Sequence, residues 1–579
     1  MRAMQIQFLG GATTVTGSQF LVTTERATVL VDCGMFQGSP NESIRNRIPF
    51  AYDPAKVDAV VLTHAHLDHC GLLPLLVKHG YAGVIHATSG TAELATLVLL
   101  DSGHLHEEFA KREARWERRH PDRAAADDRQ QAEAYQAAVD LAASGGSEEA
   151  AVETSDAPKG SVATATTTAA SMTATAGSVA PAVSQPGPPS EPGEHVETTI
   201  EPEPPHTWPT DPETEMRNMP PMLDIDLDQP LYTVKDAQAT LEHFRPIDYD
   251  QEREIAPGVF ATFLDAGHIL GSAIIRLRVV EHDGGPETVL VCSGDLGRPG
   301  TPIIRDPTYL TAADYVLCES TYGGREHEPQ DEAIRILAET IRLVADAGGV
   351  LLVPSFAIGR TQEVVWELDR LIEQGKIPSL PLYLDSPMAS KASDVYRRHS
   401  EYFDEETAQL LRDGDTPLDY PGQIITNDVR DSQAIEHAPR PYMIVASNGM
   451  LTGGRVVGHL RHLIDDPNAT ILFVGYQGEG TLGSHLQAGA TTVKLDGQVR
   501  QVRCKVRSIS GFSAHADESE LLDWLGRFAA GKRPGDPGYP RRVFLVHGDP
   551  EAQLALEPKV RTLGFATHVP HWHETVTLD

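Results

Sequence analysis

The stretch Thr63-His64-Ala65-His66-Leu67-Asp68-His69 places three histidines and one aspartate within positions 64–69. The apolar segment Asp58-Ala59-Val60-Val61-Leu62 precedes it, and Cys70-Gly71-Leu72-Leu73-Pro74-Leu75-Leu76-Val77 follows. The pattern reads as a buried strand, a ligand-bearing turn and a helix. Histidine is the commonest metal ligand, and a carboxylate beside it suits a hard divalent ion. A lone histidine is more often a satisfied core or surface residue. Independent structural needs do not explain four ligand-type side chains on one strand-end turn.

Working outward, 579 residues exceed one compact domain, so two or three are expected. No apolar run reaches about 18 residues, which argues against a membrane span. The start goes directly into a strand-like pattern over residues 5–9, without the charged and apolar regions of a signal peptide. Five cysteines (Cys33, Cys70, Cys292, Cys318 and Cys504) are scattered, with no C-x-x-C pair. They read as buried thiols in a reducing cytoplasm.

The net charge of −34 lends no support to nucleic-acid binding. Part of it is local: between Glu148 and Glu215 twelve acids face one base, Lys159. The rest of the chain is still acidic. A local basic groove remains compatible with this, and a metal site needs acids of its own.

Strands are expected at residues 5–9, 19–23 and 28–31, the last ending at Asp32-Cys33-Gly34. A strand at 84–88 and a helix over 91–109 follow. His104 and His106 on that helix need no role beyond exposure or packing. Residues 111–131 are highly charged and compatible with an extension of the helix. Residues 143–221 are rich in Ala, Thr, Ser, Pro and Glu, with almost no periodicity. Such a segment cannot bury enough apolar surface to offset its ordering entropy, and it reads as a disordered acidic insertion.

Order is expected to resume near residue 231, with a helix over 234–244 and strands at 259–264, 273–280 and 288–292. Two of these strands run into the polar turns Asp265-Ala266-Gly267-His268 and Ser293-Gly294-Asp295-Leu296-Gly297. Glycine lets the backbone turn sharply and approach an ion. After Glu319-Ser320-Thr321-Tyr322-Gly323 the elements alternate: helix 331–347, strand 350–353, helix 360–374, strand 382–384, strand 443–446. That rhythm predicts a parallel sheet flanked by helices, a second α/β domain. Ligands bind at the carboxyl-end loops of such sheets. Here those loops carry Ser355-Phe356-Ala357, Asp385-Ser386-Pro387 and Ser447 through Arg455. The tail carries a β-like run over 502–509 into Ser510-Gly511-Phe512-Ser513-Ala514-His515, and a strand over 542–546 into His547-Gly548-Asp549.

Taken together, these motifs resemble the β-CASP branch of the metallo-β-lactamase superfamily, whose members are nucleases. Asp32, the His64/His66/Asp68/His69 cluster, His268 and Asp295 match the four hydrolase motifs in order. Glu319, His515 and His547 match the three further motifs of the branch. The resemblance covers nearly the whole chain apart from residues 111–221. It implies an α/β fold, a metallo-β-lactamase αββα sandwich with an inserted β-CASP domain. Residues 1–110 and 223–319 would form the hydrolase domain, 320–500 the β-CASP domain and 501–579 the hydrolase C-terminal part. Residues 111–222 would be a charged, low-complexity, disordered insertion.

The resemblance also implies two Zn²⁺ ions, with Mn²⁺ an alternative. One would be held by His64, His66, His268 and Asp295, the other by Asp68, His69, Asp295 and His547, with Asp295 bridging. Asp32 would support them by hydrogen bonding. Asp68, Glu319 and His515 are the candidate catalytic groups, His515 acting on the leaving oxygen with Glu319 orienting it. Arg360, Ser447, Gly453, Gly454, Arg455 and Ser513 are candidate phosphate contacts. RNA-processing members carry a histidine at the last motif, where DNA-repair members usually carry an apolar residue. His547 therefore favours a ribonuclease acting on single-stranded RNA, in processing or decay. The readings kept beside it are a DNA nuclease, a small-molecule hydrolase with the same zinc core, and a non-catalytic RNA-binding relative. A homodimer is an open expectation, and the partner of the acidic insertion, like the choice between internal and 5′-end cleavage, is not legible.

Overall fold

The computed structural model describes residues 4–578 apart from 39, 144–228, 283 and 479. Two seven-stranded sheets form one domain. The first has the order 575–577, 5–10, 19–23, 28–31, 59–61, 84–87, 244–246. The second has the order 567–568, 542–546, 315–319, 287–292, 273–280, 259–265, 253–256.

Side-chain alternation along each strand builds the layers. Val29, Val31, Ala59 and Val61 of the first sheet meet Leu290, Cys292, Leu317, Phe544 and Val546 of the second in one buried cluster. The intervening Leu30 and Val60 face the other way, onto Leu73, Leu76, Leu94 and Leu99 of covering helices. Val291, Val316, Val543 and Leu545 turn outward onto Leu521, Leu525, Phe528 and Leu556. A two-residue period thus gives each sheet two apolar faces and the domain four layers, helix, sheet, sheet, helix. Burial of each such Leu, Val or Phe contributes about 1.5–3 kcal/mol. All five cysteines are buried and free.

The second domain is a parallel six-stranded sheet, Gln423–Ile425, Leu382–Asp385, Tyr442–Ala446, Val350–Pro354, Ala469–Phe473, Lys505–Ser508. Leu351, Val353, Met443 and Val445 face Leu337, Ile341, Val364 and Leu368, while Leu352, Ile444 and Ile471 face Val456, Leu460 and Leu463. It docks on the first domain through Tyr402 Oη, 2.8 Å from Ser89 Oγ, and through the Leu270 amide, which donates to Tyr396 Oη at 3.2 Å. Ion pairs of Glu93 with Arg398 and His399 add to this seam.

Two expected boundaries are corrected. The run at 502–509 was assigned from residue 501 to the hydrolase domain. Instead Lys505–Ser508 pairs in parallel with Ala469–Phe473, Thr470 opposite Lys505 through Phe473 opposite Ser508, and belongs to the second sheet. The disordered insertion was expected from residue 111. The structure has the helix Ser89–Glu117 and a further helix Pro121–Ala143 there. Alanine, glutamine and arginine are strong helix formers, and Ala142 packs with Phe36 and Trp572 as a tether. The acidic low-complexity stretch expected over 148–215 lies outside the described residues. Short edge strands at Phe244–Pro246, Arg253–Ala256, Thr567–His568 and Thr575–Thr577 have no counterpart in the expected elements. All four lie at the edges of their sheets, where a short strand shows no apolar run to mark it.

Candidate metal centre

Strand order places the chemistry. Strands 28–31, 59–61, 259–265, 287–292, 315–319 and 542–546 end at Asp32, the His64–His69 turn, the His268 turn, Asp295, Glu319 and His547. All these ends meet at one edge of the sandwich. The close approach of the turns needs glycine: a Cβ on Gly297 would sit 1.7 Å from the Gly267 carbonyl oxygen, and a Cβ on Gly34 1.6 Å from that of Asp68.

Two donor sets face each other across Asp295. In the first, His66 Nδ1 lies 3.1 Å from both His64 Nε2 and His268 Nε2, and Asp295 Oδ2 is 3.4 Å from His64 Nε2 and 3.6 Å from His268 Nε2. In the second, His69 Nε2 is 3.3 Å from His547 Nε2 and 3.2 Å from Asp295 Oδ1, and Asp68 Oδ2 is 3.6 Å from His547 Nε2. Each oxygen of Asp295 therefore serves one set.

The outer ring atoms are held. Asp32 accepts from the Thr63 amide at 2.7 Å and the Thr63 hydroxyl at 2.8 Å, and its Oδ2 is 2.8 Å from His69 Nδ1. His268 Nδ1 donates to the Ala514 carbonyl at 3.1 Å. Thr321 Oγ1 is 3.1 Å from His547 Nδ1. These contacts turn an inward nitrogen of His69, His268 and His547 toward the centre, the orientation that outer hydrogen bonds give to metal-ligating histidines.

Electrostatics agree. Burial, with His69 beside it, pushes His64 down to about 3, and burial also lowers His66 and lowers His268 far below its ordinary range. These rings are neutral and keep lone pairs. Burial opposes ionisation of Asp295 and Asp68, yet neighbouring histidines, His547 foremost, hold both carboxyls below the usual range. For His69 burial acts downward but is outweighed by Asp295 and Asp32, which raise it well above the ordinary value.

These residues fit divalent cations. His268 Nε2 faces His66 as an acceptor, because its proton goes to Ala514, so the close nitrogens there are not all hydrogen-bonded to one another. Asp295 Oδ1 is buried with no hydrogen-bond partner. Nitrogen separations near 3.1 Å are close to the ~3.3 Å edge of a tetrahedron with ~2.0–2.1 Å metal–nitrogen bonds. A donor set of imidazole and carboxylate suits zinc, and manganese with lower preference.

Beside this centre stands a dyad. Glu319 is fully buried, its Oε1 accepting from the Leu296 amide at 2.8 Å and its Oε2 from the Thr321 amide at 3.2 Å. His515 Nδ1 lies 3.0 Å from Glu319 Oε1, and its Nε2 is 4.0 Å from Asp295 Oδ2. Burial acts downward on His515, but Glu319, then Asp295 and Asp68, raise it to about 9. The shift favours the charged form of the ring, whose Nε2 faces the donor sets around Asp295.

The remaining expected residues separate. Ser513 is buried, 3.4 Å from the His515 amide. Ser447 Oγ lies 3.0 Å from Ser386 Oγ, and Gly454 precedes the helix Arg455–Leu463 at φ +80°, with Gly453 in open space. Arg360 is 4 % exposed and ion-paired with Glu363, so its expected role as a phosphate contact is corrected to that of a core ion pair. Arg455 is bound to Asp385 at 2.7 Å and to the Asn427 carbonyl at 3.0 Å. Sequence reasoning missed Thr63, Thr321 and His327, whose Nε2 lies 3.1 Å from the His515 carbonyl oxygen. Thr63 adjoins His64 and Thr321 lies two residues after Glu319, and that proximity was the available signal.

Comparison with known proteins bears on these elements in turn. Residues 12–133 match the family model of the metallo-beta-lactamase superfamily, 361–486 that of the Beta-Casp domain, and 500–570 that of the Zn-dependent metallo-hydrolase RNA specificity domain. The last contains both His515 and His547. The chain is 31 % identical over 553 residues to Ribonuclease TTHA0252 of Thermus thermophilus, covering 96 % of this chain and 95 % of that one. It is 27 % identical to Transcription termination factor FttA of Methanosarcina mazei, over 96 % of this chain and 69 % of that one. The identity to the FttA of Pyrococcus horikoshii is also 27 %, over 100 % and 71 %. Among the described residues no helix is long and apolar enough to cross a membrane.

Proposed function

The chain belongs to the β-CASP family of the metallo-β-lactamase superfamily, and from that membership we propose a two-metal ribonuclease that cleaves single-stranded RNA in processing or decay. The observation that carries the reading is the His515–Glu319 pair, 3.0 Å apart and facing the ligands of the metal centre. A charged histidine at that position suits protonation of a ribose oxygen expelled from phosphorus.

His64, His66, His268 and Asp295 would hold one ion, and Asp68, His69, Asp295 and His547 the other. Zinc is the ion proposed for both. The pair would supply a deprotonated water near neutral pH and offset the charge gathering on the phosphate. Asp68, kept ionised beside His547, would accept a hydrogen bond from the attacking water and orient it toward phosphorus. His515 protonates the departing 3′ oxygen from Nε2, while Glu319 holds Nδ1 and the orientation of the ring. The products are a 3′-hydroxyl and a 5′-phosphate. Ser447, Ser513 and the amides of Gly453 and Gly454 are the proposed phosphate contacts. Five buried free cysteines accord with action in a reducing cytoplasm.

The test is incubation of the purified, metal-loaded protein with 5′-labelled single-stranded RNA, the matching DNA and a chromogenic lactam. Cleavage of RNA with 5′-phosphate products is expected. Turnover of the lactam alone would overturn the reading. The label also separates internal cuts from release of 5′ mononucleotides.

A further inference from the structure

We propose that the outer half of the long helix Ser89–Glu117, with the turn after it, is a platform for single-stranded RNA, set apart from the metal centre; this rests on the ribonuclease reading above. Leu105, Phe109, Arg112 and Trp116 recur at i, i+4, i+7 and i+11, so they share one face of the helix. Leu105 is 44 % and Phe109 58 % exposed. Trp116 is half-buried, its ring 5.3 Å from that of His120 and tilted by 33°. An unburied apolar and aromatic stripe on a helix is what a surface keeps for a partner.

Charge names the partner. In a chain of net charge −34, the span Leu105 to His120 carries five bases, Lys111, Arg112, Arg115, Arg118 and Arg119, against four acids, Glu107, Glu108, Glu113 and Glu117, and its outer part from Arg112 carries four bases against two acids. Lys111 is tied to Glu107 and Glu108. Arg112, Arg115, Arg118 and Arg119 are exposed and form no ion pair among the described residues. Flat rings interleaved with exposed guanidinium groups match the two faces of single-stranded nucleic acid, stacked bases and phosphates.

Position links the stripe to the chemistry. Thr91, at the start of the helix, donates from its hydroxyl to the Gly271 carbonyl at 2.8 Å, in the same turn as His268. The helix then runs along the β-CASP domain, Glu93 pairing with Arg398. Near its far end Arg112 acts electrostatically on Asp496, in the turn of the β-CASP hairpin Thr492–Leu495 and Gln498–Gln501. At 1.5 Å per residue, Leu105 to Trp116 lie about 20–40 Å along the helix axis from Thr91. An RNA must extend well past the scissile bond to reach them, so the platform distinguishes long substrates from short ones.

Anisotropy with fluorescein-labelled, unstructured RNA of 24 and of 6 nucleotides tests this on the full-length, metal-loaded protein. The double variant Phe109→Ala/Trp116→Ala and the triple variant Arg112→Ala/Arg115→Ala/Arg119→Ala are each expected to bind the 24-mer about tenfold more weakly. The triple variant should also flatten the slope of log K against log salt by about 2. Affinity and turnover for the 6-mer should stay within about twofold of wild type. Phe109→Tyr keeps a stacking ring and should bind the 24-mer like wild type, which controls for damage to the helix. If both multiple variants bind the 24-mer within twofold of wild type, the platform is overturned and the ribonuclease reading stands. A change of oligomeric mass with unchanged RNA affinity overturns it equally, in favour of a protein contact. If the wild-type protein neither binds nor cleaves RNA, the ribonuclease reading fails, and the platform with it.

Discussion

His515 Nδ1 lies 3.0 Å from Oε1 of Glu319, a carboxylate fully buried and already fixed by two backbone amides, although 196 positions separate the two residues. The carboxylate cannot swing away from the ring, so it both orients His515 and keeps it charged. His515→Ala is expected to lower turnover by about 10²–10⁴-fold with normal metal content by elemental analysis. Loss of metal in this variant would make His515 a ligand and dismiss its role as acid.

Glu319→Gln keeps the shape of the side chain and removes the charge that raises His515. The basic limb of the rate–pH profile should move to lower pH, because the imidazolium then loses its proton earlier. An unmoved limb, with turnover merely reduced, would leave Glu319 as a structural residue.

His66→Ala and Asp68→Ala each remove one donor from a set in which the others are buried around it. Either should abolish RNA hydrolysis and lower the metal content per chain. Chelation of the wild-type protein should do the same, reversed by added zinc. Full activity in a verified metal-free protein would sink the two-metal proposal.

Gly297→Ala puts a methyl 1.7 Å from the Gly267 carbonyl oxygen, a backbone atom between the turns bearing His268 and Asp295. Those turns must part. A lowered melting temperature together with weaker metal retention is expected, although no donor atom is changed. Wild-type retention at a normal melting temperature would show that the turns adjust freely.

Glu367 is 2 % exposed, and its Oε1 has no hydrogen-bond partner. Burial, with Glu363 and Glu406 nearby, pushes its carboxyl up to about 8. The folded chain therefore binds this proton more tightly than the unfolded chain, whose carboxyl titrates near 4.3. Its contribution favours folding below about pH 4 and is lost as pH rises toward 8, after which a charged group stays buried. Glu367→Gln should raise the melting temperature at pH 8.5 by about 2 °C or more, with the gain shrinking as pH falls and gone near pH 4. An equal change at both pH values would dismiss titration of Glu367 as the cause.

Much of this molecule was legible because its information is local. The His64–His69 cluster spans one turn, and strand-then-glycine-turn patterns marked His268 and Asp295. Two-residue alternation marked the sandwich strands and the β-α rhythm marked the parallel sheet. What sequence left undecided depends on partners distant along the chain. The run ending at Ser508 has the same strand propensity whichever sheet receives it, and only pairing with Ala469–Phe473 assigns it to the β-CASP domain. Residues 111–131 read as compatible with helix yet fell within the expected insertion, and only the packing of Ala142 on Phe36 and Trp572 ties the helix Pro121–Ala143 to the fold. Arg360 looked free for phosphate because nothing in sequence shows that Glu363 neutralises it in the core. The division of Asp295 between two donor sets is likewise tertiary, since its oxygens meet His64 and His268 on one side and His69 on the other only after both sheets have packed. Composition and periodicity identify which side chains can bind a metal or bury a face; which of them meet is set by strand register and packing, which bring together atoms hundreds of residues apart.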